Sequence, residues 1–342
     1  MRNGGILPVQ AIERLLKEGV ILCERPLAPD QLQPASLDLR LGTKAYRVRA
    51  SFLPGPRRSL SERLEQLSLH VIDLQSGAVL ETGCVYIVPL LESLKLPKGL
   101  SAAANPKSST GRLDIFTRVI TDNAAEFDTV AEGYEGPLYA EISPRTFPSL
   151  VRTGSRLSQI RFRAGAMRRS ESNLALSVDL EGQEGEPVGF RAKRHSGLVD
   201  VDRKDTLAVE DFWDPLWQRD SLILDPGQFY ILASREPVCV PPDQAAEMVP
   251  FNPLVGEFRV HYAGFFDPGF GHRSGGGEGA RAVLEVRSHE VPFVLEHGQL
   301  IGRLVYEPLT ERPSRVYGEG IGSNYQRQGL KLSKHFRSFL KA

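Results

Sequence analysis

The 342-residue sequence predicts a mainly-β protein made of two tandem copies of one distorted β-barrel or jelly-roll domain. Two observations carry this. Short runs rich in β-branched and aromatic residues recur along the chain, among them CVYIVPL, RLDIFTRVI, PLYAEIS, QFYILAS, EFRVHYA and RAVLEVRS, each bounded by Pro or Gly turns. The segment TGCVYIVPLLESLKLP (82–97) also matches PGQFYILASREPVCVP (226–241) in pattern: Gly83 falls on Gly227, a shift of 144 positions. The same shift takes Tyr86 to Tyr230, Pro97 to Pro241, Glu141 to Glu285 and Gly154 to Gly298, which is the mark of duplication. A chain of this length with 41% hydrophobic residues can bury two cores.

The elements follow in order. From Pro8 to Gly19 the residues Val9, Ile12, Leu15 and Leu16 fall on one helical face, with Pro at the start and Gly at the end, so the spacing predicts a short N-terminal helix. Two further helical interludes are expected, one carrying Leu60, Leu64 and Leu67, the other an aromatic turn around Phe212, Trp213 and Trp217; both read as core-packing segments. Between the halves lies a polar stretch containing Gly and Arg with weak periodicity, which suits a connection. The expected division is therefore a first domain over 1–165, a connection over 166–195 and a second domain over 196–342.

Composition narrows the function. Forty-two Lys and Arg balance 42 Asp and Glu, so no global field points to nucleic acid or an anionic membrane as a partner, and any phosphate site must be local. No run is apolar enough to be read as a signal peptide or a membrane span. The three cysteines, Cys23, Cys84 and Cys239, are far apart and suggest neither a disulfide framework nor a Cys-x-x-Cys metal site; a reducing cytoplasm fits. A zinc-dependent deaminase needs a His-x-Glu and a Pro-Cys-x-x-Cys to hold the metal and its water, and the sequence has neither.

Several segments can carry chemistry. Asn105-Pro-Lys-Ser-Ser-Thr-Gly-Arg112 gathers two cations, three hydroxyls and a Gly within eight residues. Lys offers a point charge, Arg a planar fork, the hydroxyls short donors, and Gly a close backbone approach, a set able to wrap phosphate oxygens. Alone it reads as a solvated turn, since it is no Walker loop. It is accompanied by Gln33-Pro-Ala-Ser-Leu-Asp-Leu-Arg-Leu-Gly42, by a strand ending in Glu141, by an FDPGF turn at 266–270, and by the strand Val283-Leu284-Glu285. The tail Tyr317-(x6)-Asn324-Tyr325-Gln326-Arg327-Gln328-Gly329 completes the set.

In their order and spacing these segments resemble the dCTP deaminases of the dCTP deaminase/dUTPase superfamily, and the resemblance runs from the helix to the tail. It implies two dUTPase-like domains and zinc-independent hydrolytic deamination of dCTP to dUTP and ammonia. It further implies that Lys107, Ser108, Ser109 and Arg112 grip the triphosphate, with Lys107 in place of the usual leading Arg. Asp267 and the strand residues Val283 and Leu284 would hold the deoxyribose and base, and Glu285 would be the catalytic carboxylate. Tyr317, Asn324 and Gln328 match a closing lid, Asn324 standing where a Lys is common. His261 matches a position that is often His, where it reads as packed or hydrogen-bonded. Mg²⁺ is expected on the substrate triphosphate, as suits a hard cation. A Glu serving first as base and then as acid favours a buried site that raises it above its ordinary value of about 4.3.

The halves differ in complementary ways. The shift of 144 places Lys107 on Phe251, Ser108 on Asn252, Ser109 on Pro253 and Arg112 on Gly256, so the second half lacks the phosphate grip. The first half keeps Asp128 but lengthens the turn after it to EFDTVAEGYEG. Two layouts are open. A composite site takes the phosphate loop from the first half and Asp267, Glu285, Tyr317 and Gln328 from the second. Alternatively, like halves stack in threefold rings of a homo-oligomer, with Asp128 in the pocket and Glu141 catalytic. The competing functions are a dUTPase, a bifunctional enzyme that carries dCTP through to dUMP, and a catalytically inactive nucleotide-binding protein.

Overall fold

A computed structural model describes residues 4–166, 173–250, 258–260, 264–288, 290–318, 325–326 and 328–339. The N-terminal helix spans Val9–Lys17, with Pro8 in extended conformation at its N-cap; it buries Val9, Ala11 and Ile12 and packs Leu15 and Leu16 partly against the core. The helix Leu60–Leu67 is started by a capping box, in which the Ser59 hydroxyl accepts from Glu62 N–H and the Glu62 carboxylate accepts from Ser59 N–H, both at 3.3 Å. Its Leu60 and Leu64 pack on Val48 and Ile87. No helix among the described residues is long and apolar enough to cross a membrane.

The rest is strand. In the first half, Val85–Lys95 and Glu135–Pro144 form a long antiparallel ribbon, extended by Lys44–Val48 and Ser68–Asp73 on one side and Ile115–Thr121 on the other. A second layer is built on Ser158–Ala164 and Leu100–Pro106. The second half repeats the plan, with the ribbon formed by Phe229–Val238 and Ala280–Ser288 and the second layer by Leu300–Pro308 and Gln244–Pro250. The duplication extends to register: Glu141 opposes Ile87 and Tyr86 opposes Ile142, while Glu285 opposes Ile231 and Tyr230 opposes Val286. Small details repeat too. Tyr86 OH accepts from Glu81 N–H at 3.1 Å and Tyr230 OH from Asp225 N–H at 2.9 Å, the same turn lock in each copy.

The stretch 166–195, expected as a connection, contains two strands among its described residues. Asn173–Ser177 pairs with Leu300–Pro308, and Gly189–Ala192 lies between Trp213–Leu216 and Phe229–Val238. The period-2 placement of Leu176, Val178 and Leu180, all fully buried, explains why it joins the second half's core. The aromatic turn also departs in part from expectation. Phe212 and Trp213 are buried against Phe147 and Phe336, but Trp217, one residue past the strand Trp213–Leu216, is 53% exposed. The largest core crosses between halves, joining Phe147 and Phe162 of the first to Phe229, Ile231 and Val283 of the second, so the two copies share apolar interior.

Candidate active site

A cavity of about 220 Å³ opens where the first half's Lys107–Arg112 segment faces the second half's ribbon. The segment is one helical turn, Ser108–Gly111, rather than an irregular loop: Thr110 and Gly111 N–H donate to Lys107 carbonyl at 2.8 and 3.0 Å. This turns Lys107, Ser108, Ser109 and Arg112 toward the cavity. The opposite wall carries Val283 and Glu285, which share a face of the strand Ala280–Ser288 because alternate residues point the same way. Leu284, between them, is fully buried in the second half's core and is not among the residues that line the cavity.

Glu285 is 4% exposed. Burial and the nearby negative charge of Asp114 hold its carboxyl well above the usual range, against the opposing pull of Arg112. Its carboxylate comes so close to Gly111 that a Cβ there would lie 2.8 Å from either oxygen. Arg112, itself buried, donates from Nη1 to Lys331 carbonyl and from Nη2 to Gln328 Oε1, each at 2.9 Å, and stacks 3.9 Å from the Tyr325 ring centre. Gln328 Nε2 in turn donates to Arg281 carbonyl at 2.8 Å, so the tail is zipped onto the strand that bears Glu285.

Asp267 heads a turn in which Phe270 N–H donates to its carbonyl at 3.1 Å. Gly269 has φ of +92°, and a Cβ there would lie 2.8 Å from Val316 Cβ, so the turn requires Gly. Tyr317 N–H donates to Pro268 carbonyl at 2.7 Å and the Tyr317 ring packs on Phe270. Burial raises the Asp267 carboxyl, and its Oδ1 is buried without a hydrogen-bond partner among the described residues. A first-half residue braces this turn. Arg161, with no solvent exposure, donates to Ala246 and Phe266 carbonyls at 3.1 and 3.2 Å, stacks on Phe265 and lies 3.6 Å from Asp267.

Nine of the residues singled out in the sequence therefore meet in one cavity: Lys107, Ser108, Ser109, Arg112, Asp267, Val283, Glu285, Tyr317 and Gln328. Asn324 and His261 lie outside the described residues. Glu141 and Asp128 are placed elsewhere. Glu141 is 1% exposed and locked to Arg118 at 2.6 Å, whose guanidinium lies 3.4 Å from the Phe127 ring centre and 4.6 Å from that of Phe116. Asp128 accepts from Val119 N–H at 2.7 Å. The two copies of the strand Glu thus share a register but not a neighbour: one faces a cavity, the other an arginine.

The cavity also holds further residues. Asp38, buried, pairs with Lys107 and lies 3.5 Å from Arg156, which forms a two-pronged pair with Asp30 at 2.9 Å. Lys204, Tyr325 and Lys334 complete the wall. Asp38 sits in the QPASLDLRLG segment and Tyr325 in the tail motif, whereas no local sequence signal marks Arg156, Lys204 or Lys334. Among the described residues, no group of three or more His, Cys, Asp or Glu side chains is arranged to hold a metal ion.

The chain matches two family models, 2'-deoxycytidine 5'-triphosphate deaminase N-terminal domain over residues 3–166 and the C-terminal domain of the same family over residues 153–336. It is similar to the crystal structure of 2'-deoxycytidine 5'-triphosphate deaminase from Agrobacterium tumefaciens, with 62% identity and a TM-score of 0.86 over 90% of this chain and 100% of that one. Curated relatives match one part of the chain. A "dCTP deaminase, dUMP-forming" from Halobacterium salinarum is 36% identical over 113 residues, 32% of this chain and about half, 53%, of its own length. A protein of the same name from a Sulfurihydrogenibium species is 28% identical over 183 residues, 53% of this chain and 93% of its own. A "dCTP deaminase" from Haloarcula marismortui is 32% identical over 163 residues, 46% of this chain and 79% of its own.

Proposed function

Since the chain belongs to the 2'-deoxycytidine 5'-triphosphate deaminase family, we propose that it hydrolyses dCTP to dUTP and ammonia at a composite site drawn from both halves. The observation that carries the reading is a single cavity in which a buried Glu285 faces the Lys107–Arg112 turn. Lys107, Ser108, Ser109 and Arg112 bind the triphosphate with its Mg²⁺, which arrives with the nucleotide and uses no protein cage. Asp267, Val283 and Tyr317 take the sugar and base, and Gln328 ties the tail over Arg112.

The chemistry then rests on Glu285. A carboxylate held above its ordinary range is a stronger base, and it removes a proton from water as the oxygen attacks C4 of the cytosine. The protonated Glu285 delivers that proton to N3. The hydroxyl of the resulting tetrahedral carbon returns a proton to the carboxylate, which passes it to the amino group, and ammonia leaves as the C4 carbonyl forms. Atoms and charges balance at one water consumed and one ammonia released. Gly111 lets the carboxylate sit beside the phosphate-binding turn, so base and triphosphate grip keep a fixed relation.

A second reading is that the product continues to dUMP, which relatives named "dUMP-forming" make a specific alternative. Incubating the protein with dCTP and with dUTP while following ammonia and pyrophosphate separates the two. Ammonia without pyrophosphate is expected; pyrophosphate from dUTP establishes the second reading, and no ammonia from dCTP overturns the first.

A further inference from the structure

Five cations line the cavity: Lys107, Arg112, Arg156, Lys204 and Lys334. Two of them are matched by protein carboxylates, Lys107 by Asp38 and Arg156 by Asp30. Arg112 is spent on Gln328, Lys331 carbonyl and the Tyr325 ring. Lys204 and Lys334 have no carboxylate within ion-pair distance among the described residues. Neither belongs to the phosphate turn or to the tail motif that ends at Gly329.

Their backbones are nevertheless fixed, and fixed to each other. Past the tail motif the chain runs back across the site: Ser333 hydroxyl donates to Ser109 carbonyl at 2.8 Å, and Lys334 N–H donates to Tyr325 OH at 3.2 Å. The loop bearing Lys204 is stitched to this strap, with Asp205 N–H donating to Lys334 carbonyl and Thr206 N–H to His335 carbonyl, both at 3.0 Å. His335 Nε2 lies 2.9 Å from Val201 carbonyl, and Phe336 anchors the strap among Phe147, Phe212 and Trp213. Asp38 and Asp30 meet the charges of Lys107 and Arg156, which leaves a half-buried Lys334 and an exposed Lys204 as surplus positive charge at the cavity. Burial, with the neighbouring charges of Lys107, Lys204 and Arg156, pushes Lys334 down to about 8, with Asp38 opposing.

We propose that Lys334 and Lys204 form a clamp for the terminal phosphate of the triphosphate, supplied by a C-terminal strap outside the recognised phosphate-binding motifs. The clamp rests on the proposed nucleotide reading of the cavity. It provides the positive charge that the tail position Asn324 does not, and it ties length selectivity, triphosphate over diphosphate, to the strap.

The test uses the full chain and its Lys334→Ala, Lys204→Ala, double and Lys334→Arg variants, each shown to melt at the wild-type temperature. Constants for dCTP and dCDP turnover are measured beside calorimetric binding of inorganic tripolyphosphate. The double variant is expected to raise KM for dCTP at least tenfold with kcat within twofold, to leave the dCDP constants unchanged, and to weaken tripolyphosphate binding by a similar factor. Lys334→Arg restores most of the loss. An unchanged KM for dCTP in the double variant, or an equal rise for dCDP, overturns the clamp while deamination stands. Tripolyphosphate binding that depends on both lysines in a wild-type protein that releases no ammonia keeps the clamp and removes the deaminase reading.

Discussion

At the scale of single residues, Gly111 sets how close the base can approach. A methyl group there would lie 2.8 Å from both Glu285 oxygens, and because these are the free end of a flexible side chain the carboxylate swings aside at little cost to the fold. Gly111→Ala is expected to lower kcat about tenfold or more, since an ångström of displacement at a reacting group costs on the order of 10² in rate, while the melting temperature stays within a few degrees. A variant as active as wild type would show that Glu285 has room to spare.

Glu285 also sets the pH profile. Its carboxyl is raised above the ordinary value of about 4.3, and only the deprotonated form can take a proton from water, so kcat/KM falls as pH drops through that raised value. An acid limb whose midpoint lies at or below about 4.3 would contradict the assignment. On the basic side, Lys334 loses its charge above about 8, so KM for dCTP rises there and the rise disappears in Lys334→Arg.

Among the elements, the strap matters more than its length suggests. Phe336 is 4% exposed and touches three aromatic rings, two of them from the second half and one from the first. Phe336→Ala removes that anchor at about 3–5 kcal/mol, and KM for dCTP is expected to rise because Gln328 and Lys334 lose their shared support. By contrast Ser59→Ala, which opens the capping box of Leu60–Leu67 at about 1 kcal/mol, leaves both KM and kcat as they were; a thermal melt and a Michaelis curve on each variant check the pair.

Much at this scale was legible in the sequence, and the exceptions have physical reasons. The ribbons announced themselves because alternating apolar runs bounded by Gly and Pro report a half-buried strand directly. The strands within 166–195 are short and flanked on both sides by polar and charged stretches, MRRSES before and EGQEGE after, so the segment reads as a connection. Trp217 misled because an aromatic residue beside a buried pair reads as buried, yet it lies past the end of the ladder. Arg156, Lys204 and Lys334 reach the cavity from segments far apart in sequence, a placement that no local spacing encodes.

At the scale of the whole molecule, the two copies share a register and differ in surroundings. The two ribbons repeat register to the residue, so Glu141 and Glu285 occupy equivalent places in the two copies. Their neighbours differ. Arg118 pairs with Glu141, while the Ser108–Gly111 turn of the first half lies beside Glu285 at the cavity. The shared core and Arg161, which reaches from the first half to brace the Asp267 turn of the second, make each half the scaffold for the other.

Ammonia release from dCTP by the Glu285→Gln and Glu141→Gln proteins, each confirmed folded by circular dichroism, tests the composite site most directly. Glu285→Gln is expected to lose at least about 10² in kcat, the scale of a general acid–base group, and Glu141→Gln to stay within about twofold of wild type. A fully active Glu285→Gln protein, or a folded Glu141→Gln protein without activity, would contradict it.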